Sequence, residues 1–295
     1  MHIVLNARQF VSACLAYPRN RLVSPMVHRD ESTAQAFSRA AFDYDAQWNN
    51  HPAVVRLRDR ARARMAERWP LGSRVLELNC GTGEDAVALA MRGVHVVATD
   101  LAPDMVRMTN ERIAAAQVGD LCTARVLAFA EISTLGAAAF DGVLSMMGGL
   151  NCAADLAPVA RDLARIVRPG GAVFVSLMPR CAPWEVAGNL LRGDLRTALR
   201  RWRHGPVIAM VHGIRVPTYY YSLRHVRRAF GKDFDVLSSE GWNSISPPPA
   251  SRRFRARHPQ LSRWLERLED RCGRMFPFDR IGDHIFIELR KRGRV

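Results

Sequence analysis

The chain has 295 residues, 48% of them hydrophobic and 24% charged, with 6 cysteines and a formal net charge of +15. That length buries a full core without staples, no run of about 18 apolar residues offers a membrane span, and no CxxC pair offers a zinc or redox site. The charge is uneven: residues 1–180 hold 20 Lys and Arg against 17 Asp and Glu, residues 181–295 hold 23 against 11, so any phosphate-binding surface belongs to the C-terminal part.

Residues 1–30 read as an N-terminal extension. The opening MHIVLNARQFVSACLAYP lacks a basic leader and is interrupted by Arg8, which disfavours a secretory signal; the scattered cysteines fit a reduced, cytoplasmic setting. Residues 31–68 read as two amphipathic helices around the NNHP turn at 49–52. Short apolar runs then recur as RVLELN (74–79), VHVVATD (94–100), ARVLAF (124–129), FDGVLSM (140–146) and AVFVSLM (172–178), as strands buried on both faces should. Helical patterns separate them: EDAVALAMR, PDMVRMTNERIAAAQ with Pro103 in its first turn, and DLAPVARDLARIVR, which PGG at 169–171 is expected to stop. Strict alternation predicts βαβ units and a mostly parallel sheet. Beyond it, 183–203 is expected to be helical, 206–221 short strands around a turn, SLRHVRRAF a helix, 260–272 a helix, and FDVLSSEGW (234–242) with HIFIELRKR (284–292) a closing pair of strands.

The expected architecture is an α/β, doubly wound, seven-stranded, mostly parallel sheet with an N-terminal helical cap and C-terminal insertions. Residues 31–180 form the core with its cap, 181–233 a lid insertion, and 234–295 the closing strands with a second insertion at 246–283.

In VLELNCGTG (75–83), Gly81 and Gly83 permit a tight turn between a strand and a helix, where backbone N–H groups face a ligand. Asp100 ends the next strand, 17 residues beyond Gly83, where a carboxylate can hold both hydroxyls of a ribose. A carboxylate closing an apolar strand needs a partner. Glu77 ahead of a CGTG loop, in place of GxGxxG, argues against a dinucleotide.

VLELNCGTG, ATDLAPDMV, FDGVLSMMGGLN and LARIVRPGGAVFVSLM, in this order, resemble the motifs of class I S-adenosylmethionine-dependent methyltransferases, and FSRAAFDYD (37–45) is similar to a segment of their small-molecule members. The likeness covers residues 35–180. It implies a Rossmann-like methyltransferase fold and S-adenosyl-L-methionine as cofactor. By this resemblance the backbone at Asn79, Cys80 and Gly81 underlies the methionine portion, Glu77 orients the loop or the cofactor ammonium, Tyr44 closes over the carboxylate end, Asp100 takes the ribose, and Leu101 and Met105 flank adenine. Ala130 and Glu131 stand where the family reads adenine, although Phe129 replaces its usual acid, and Met146 lies beneath the sulfonium. Asn79 departs from the family's first glycine; an asparagine tolerates the left-handed turn such a position requires.

Met147, Asn151, Trp184, Tyr219 and Tyr220 are the candidate acceptor residues and His212 the candidate base; no metal is expected, since SMMGGLN lacks a carboxylate cluster. The function expected is methyl transfer to an O or N atom of a small molecule. Two alternatives stand beside it: an RNA or protein acceptor met by the basic C-terminal region, less favoured because strand four ends in SMMG without a (D/N)PPY-type motif, and a non-catalytic cofactor-binding relative.

Overall fold

The computed structural model describes residues 27–293; the N-terminal extension up to residue 26 lies outside them. Helix α1 (Val27–Ala40) leads through a π turn (Asp45–Asn49) to α2 (Pro52–Arg68), whose start is set by Pro52 and by the His51 ring accepting from the Ala53 N–H. Then β1 (Arg74–Leu78), α3 (Glu84–Ala90), β2 (His95–Asp100), α4 (Pro103–Ala115), β3 (Cys122–Val126), β4 (Phe140–Ser145), α5 (Leu156–Ile166) and β5 (Val167–Leu177) alternate, with Pro103 opening α4.

The order across the sheet is β3-β2-β1-β4-β5-β9-β8, where β8 is Phe234–Trp242 and β9 is His284–Lys291. Strands β1 to β5 are parallel and β9 runs against both neighbours. Successive β1 side chains enter opposite layers, Leu76 and Leu78 on the α5 side and Val75 on the α2 side. This is the seven-stranded doubly wound architecture the periodicity implied. The strand order reverses between β1 and β4, so their carboxyl ends diverge and leave a crevice.

Helix α2 is fastened along two faces. Leu57, Ala61 and Met65 enter the core, while Arg64 and Arg68 each reach the buried Glu288 of β9 at 2.6 Å and Arg60 pairs with the buried Glu240 of β8. Inside, Trp69 meets Phe174 edge-on, and Phe286 lies stacked between Phe174 and Trp242 at 5.6 and 4.8 Å between ring centroids.

Three elements differ from the sequence pattern. Helix α5 ends at Ile166, and the Pro-Gly-Gly lies inside β5 as a bulge opposite Phe140 and Gly142. The helical stretch 183–203 is broken into α6 (Pro183–Leu190), α7 (Leu195–Ala198) and a 3-10 turn, because Gly193 takes a φ of 73° and Asp194 caps the new start by accepting from the Thr197 N–H. Helix α8 (Leu223–Phe230) buries Leu223, Val226 and Phe230 with α5 in the core, so the part of the 181–233 segment that stands off the sheet ends before it. What stands off includes the hairpin of β6 (Val207–Val211) and β7 (Ile214–Thr218), which packs against α1. Between β8 and β9 the chain forms α9 (Arg252–Arg257) and α10 (Pro259–Cys272), and the buried Glu269 accepts from the Ser244, Ile245 and Ser246 N–H groups. No helix among the described residues is long and apolar enough to cross a membrane.

Truncating the middle ring of the aromatic stack leaves a cavity that two sheets of contacts cannot close. Phe286→Ala is expected to cost about 3–5 kcal/mol in urea unfolding, with a cooperative transition retained.

Candidate functional site

The chain turns sharply after β1. Asn79 sits at φ 48°, in the left-handed region, as a turn glycine would. Its side chain spans the crevice: Nδ2 donates to the Met146 carbonyl at 2.8 Å, and Oδ1 accepts from the Ser145 hydroxyl at 2.6 Å. Gly149 makes room for it, since a Cβ there would fall 2.1 Å from Asn79 Cγ. The amide thereby ties the end of β1 to the end of β4, a strap that a glycine could not supply.

Gly81 (φ 58°) and Gly83 (φ 83°) complete the turn. The Gly81 N–H donates to one Asp100 oxygen at 3.0 Å and the Ala102 N–H to the other at 2.9 Å. Each carboxylate oxygen keeps lone pairs for further donors. Burial pushes the Asp100 carboxyl up to about 6 in spite of these backbone donors. Glu77 lies deeper. Burial pushes its carboxyl up to about 8 against the pull of Arg58 and Arg62, and its Oε2 has no partner.

The N-terminal cap is clamped on this loop. Buried Arg58 pairs with buried Asp85 at the start of α3 and donates to Asn49 Oδ1 at 3.0 Å; Asn49 in turn donates to the Thr82 hydroxyl at 3.0 Å, and Arg62 reaches Asp85 at 2.8 Å. The clamp was not foreseen from the sequence, in which Arg58, Thr82 and Asp85 carry no local signal. Tyr44 lies under it, 4.0 Å from where a Gly81 Cβ would stand.

These groups line one end of a cavity of about 1050 Å³. Glu77, Asn79, Cys80, Gly81 and Asp100 form its floor together with Tyr44; Leu101, Met105 and Ala130 line it beyond Asp100, joined by Phe37, Leu127 and Phe129. Met146 and Met147 lead into a second chamber walled by the β6–β7 hairpin, Tyr219 and Tyr220. Ligand pockets commonly span about 300–1,000 Å³, so this cavity lies at the upper end of that range.

Four sequence candidates do not line it. Asn151 is fully buried and spends its amide on backbone, donating to the Met178 and Tyr219 carbonyls and accepting from the Met178 N–H at 2.8 Å. Trp184 donates to the Ile245 carbonyl and packs edge-on against Phe254. Glu131 folds back to accept from the Ala128 N–H at 2.8 Å. His212 occupies the hairpin turn at φ 45°, its Nε2 3.2 Å from Asp43 Oδ1, while its neighbours Met210 and Val211 face the cavity. A different imidazole lies behind the wall: the buried, unpartnered Nε2 of His284 is 3.2 Å from where a Gly148 Cβ would stand. Its Nδ1 is 3.3 Å from Asp283, whose carboxyl is partly exposed and, despite the desolvation it suffers, is held well below the usual range by His284 and Arg201. A single His after a Gly-Asp pair gave no sequence signal.

Glu77 titrates from 4.5 in the unfolded chain and from about 8 in the fold. The folded state therefore holds the extra proton between those values, and its advantage is lost as pH rises through them. The ligand-free protein is expected to lose stability as pH rises from about 4.5 to 8, with Asp100 contributing below about 6; urea unfolding of Glu77→Gln should show the slope between about pH 6 and 8 removed.

Comparison with known proteins follows this geometry. A family described as "Methyltransferase domain" matches residues 75–171. The ubiquinone biosynthesis O-methyltransferase of Xylella fastidiosa is 34% identical over 117 residues, 39% of this chain and 46% of that protein, so the chain spans about half the length of that relative. The malonyl-[acyl-carrier protein] O-methyltransferase of Serratia marcescens is 33% identical over 189 residues, covering 59% of this chain and 68% of that protein. Among solved structures, the [4+2]-cyclase SpnF superposes with a TM-score of 0.57 at 15% identity over 89% of this chain and 97% of that one, a likeness of fold alone. With the Serratia relative matched over two thirds of its length and the glycine loop inside the matched domain, the chain belongs to the family of class I S-adenosylmethionine-dependent methyltransferases, whose cofactor is S-adenosylmethionine.

Proposed function

We propose that this chain transfers the methyl group of S-adenosylmethionine to an oxygen or nitrogen of a small molecule with a sizeable apolar body. The observation that carries this reading is the continuity of the cavity, which starts on Asp100 and Gly81, passes Met146 and Met147, and widens against Val207, Ala209 and Val216 of the hairpin. The donor set suits the cofactor: a carboxylate with open lone pairs for a diol at Asp100, an orphaned buried acid at Glu77 for an ammonium group, and a left-handed glycine turn whose backbone admits close approach.

S-adenosylmethionine supplies a methyl group on a good leaving group, so the protein's share is alignment and the exclusion of water. Asp100 would accept the two ribose hydroxyls while Gly81 and Ala102 hold it in place. Leu101 and Met105 offer apolar faces to a base, and Ala130 and the neighbouring backbone take the place of the folded-back Glu131. Met146, Met147, Tyr219 and Tyr220 would hold the acceptor. With His212 turned to Asp43, a base at that position is not part of this reading. The relatives named above are O-methyltransferases, which favours oxygen over nitrogen.

An RNA acceptor is less well supported, since β4 ends in SMMG without a (D/N)PPY-type segment. Calorimetric titration tests the assignment. Asp100→Asn is expected to weaken S-adenosylmethionine binding by about tenfold to a hundredfold, the loss of one or two hydrogen bonds to a charged group. Unchanged affinity would remove Asp100 from the site, and formation of S-adenosylhomocysteine only when a metabolite extract is added would establish turnover on a small acceptor.

A further inference from the structure

Residues 190–203 carry two stripes that are one residue out of step. Leu195, Leu199 and Trp202, spaced i, i+4, i+7, are 62%, 41% and 48% exposed. Arg196, Arg200 and Arg203, each one residue further on, line the cavity. Arg196 and Arg203 are themselves exposed, so the cavity reaches the surface here. At the end of α6, Leu190 and Leu191 are 47% and 90% exposed. These side chains sit on the end of α6, the four-residue α7 and the 3-10 turn after it, and all of them face outward.

The orientation is anchored. Arg201, between the two stripes, is buried, reaches Glu185 at 2.7 Å and Asp283 at 3.1 Å, and lies 4.9 Å over the Tyr220 ring. Rolling the segment to bury its leucines would strand that guanidinium and take from Asp283 its arginine, at a cost of several kcal/mol. Single exposed leucines are ordinary, but five large exposed apolar side chains within one short segment mark an interaction surface.

Charge selects the occupant. Five arginines and one acid, Asp194, lie between residues 190 and 203. Asp194 is engaged with Thr197, and among the described residues Arg192, Arg196 and Arg203 have no ion-pair partner. Leucine and tryptophan side chains flanked by arginines complement an anionic bilayer: the apolar groups enter the acyl boundary while guanidinium groups reach the phosphates. We propose that residues 190–203 dock on an anionic lipid surface, which places this edge of the cavity against the membrane. An acceptor drawn from that surface would rest on the function proposed above; the docking itself does not.

The test uses the full chain and sedimentation with vesicles of phosphatidylcholine alone or with one third phosphatidylglycerol. The protein is expected to pellet with the mixed vesicles and not with the neutral ones. Leu191→Glu combined with Leu195→Glu should lower vesicle affinity by about tenfold or more, with the thermal melt and calorimetric S-adenosylmethionine binding unchanged. Arg192→Glu with Arg196→Glu should weaken binding likewise. Absence of pelleting at low salt overturns the proposal. So does equal pelleting by the leucine variant, which would mark a diffuse attraction of a basic chain, and so does capture of an acidic protein through this face without vesicle binding. Loss of S-adenosylmethionine binding with vesicle binding intact would count against the proposed function instead.

Discussion

The candidate site depends on a buried ion pair. Arg58 and Asp85 come from different helices and are both removed from water, a cost offset in part by Asn49, which accepts from Arg58, and by Arg62, which donates to Asp85. The pair locks α2 onto the first turn of α3, and that turn is the far side of the glycine loop. It also leaves Glu77 in a dry place beside a guanidinium already engaged, so the carboxyl stays largely protonated at neutral pH. A site arranged in this way has one unsatisfied buried oxygen and one carboxylate with spare lone pairs, both facing the same space. Polar groups left in that condition are where a ligand contributes most.

The end of β4 is the second point of control. Asn79 straps it to β1, Gly149 clears the space for that strap, and Gly148 leaves room for the His284 ring behind it. Three residues thus interlock at the junction of the two chambers. The asparagine that departs from the usual glycine is compensated by a glycine 70 residues later in the chain. A substitution at either position would be felt at the other, as expected for contacts sharing one space.

The outer chamber is built differently. It is walled by a two-stranded hairpin and short broken helices, elements with few buried side chains of their own, and held to the core chiefly through Arg201 and the packing of the hairpin on α1. Binding sites on such segments combine a rigid floor with walls that tolerate change. Two chambers of unlike construction suit a family in which one part of the ligand set is constant and the other varies.

The alternation of strand and helix, the glycine turn at Gly81 and Gly83, the carboxylate of Asp100 and the helix start at Pro103 are determined by neighbours in the chain, and the sequence by itself determined them. The left-handed turn at Asn79 was legible for the same reason. The break at Gly193 and Asp194 was written locally too, but the helical period across it masked the signal. Only the tertiary structure decided which way the side chains of Asn151, Trp184, Glu131 and His212 point, because each is claimed by a partner: the backbone of Met178 and Tyr219, the carbonyl of Ile245, the N–H of Ala128, and Asp43. The Arg58–Asp85 pair and the Asp283–His284 pair behind Gly148 were likewise out of reach of the sequence. Residue type and spacing limit what a side chain can bond to, whereas burial and competition among partners, set by the packed fold, choose the bond it makes.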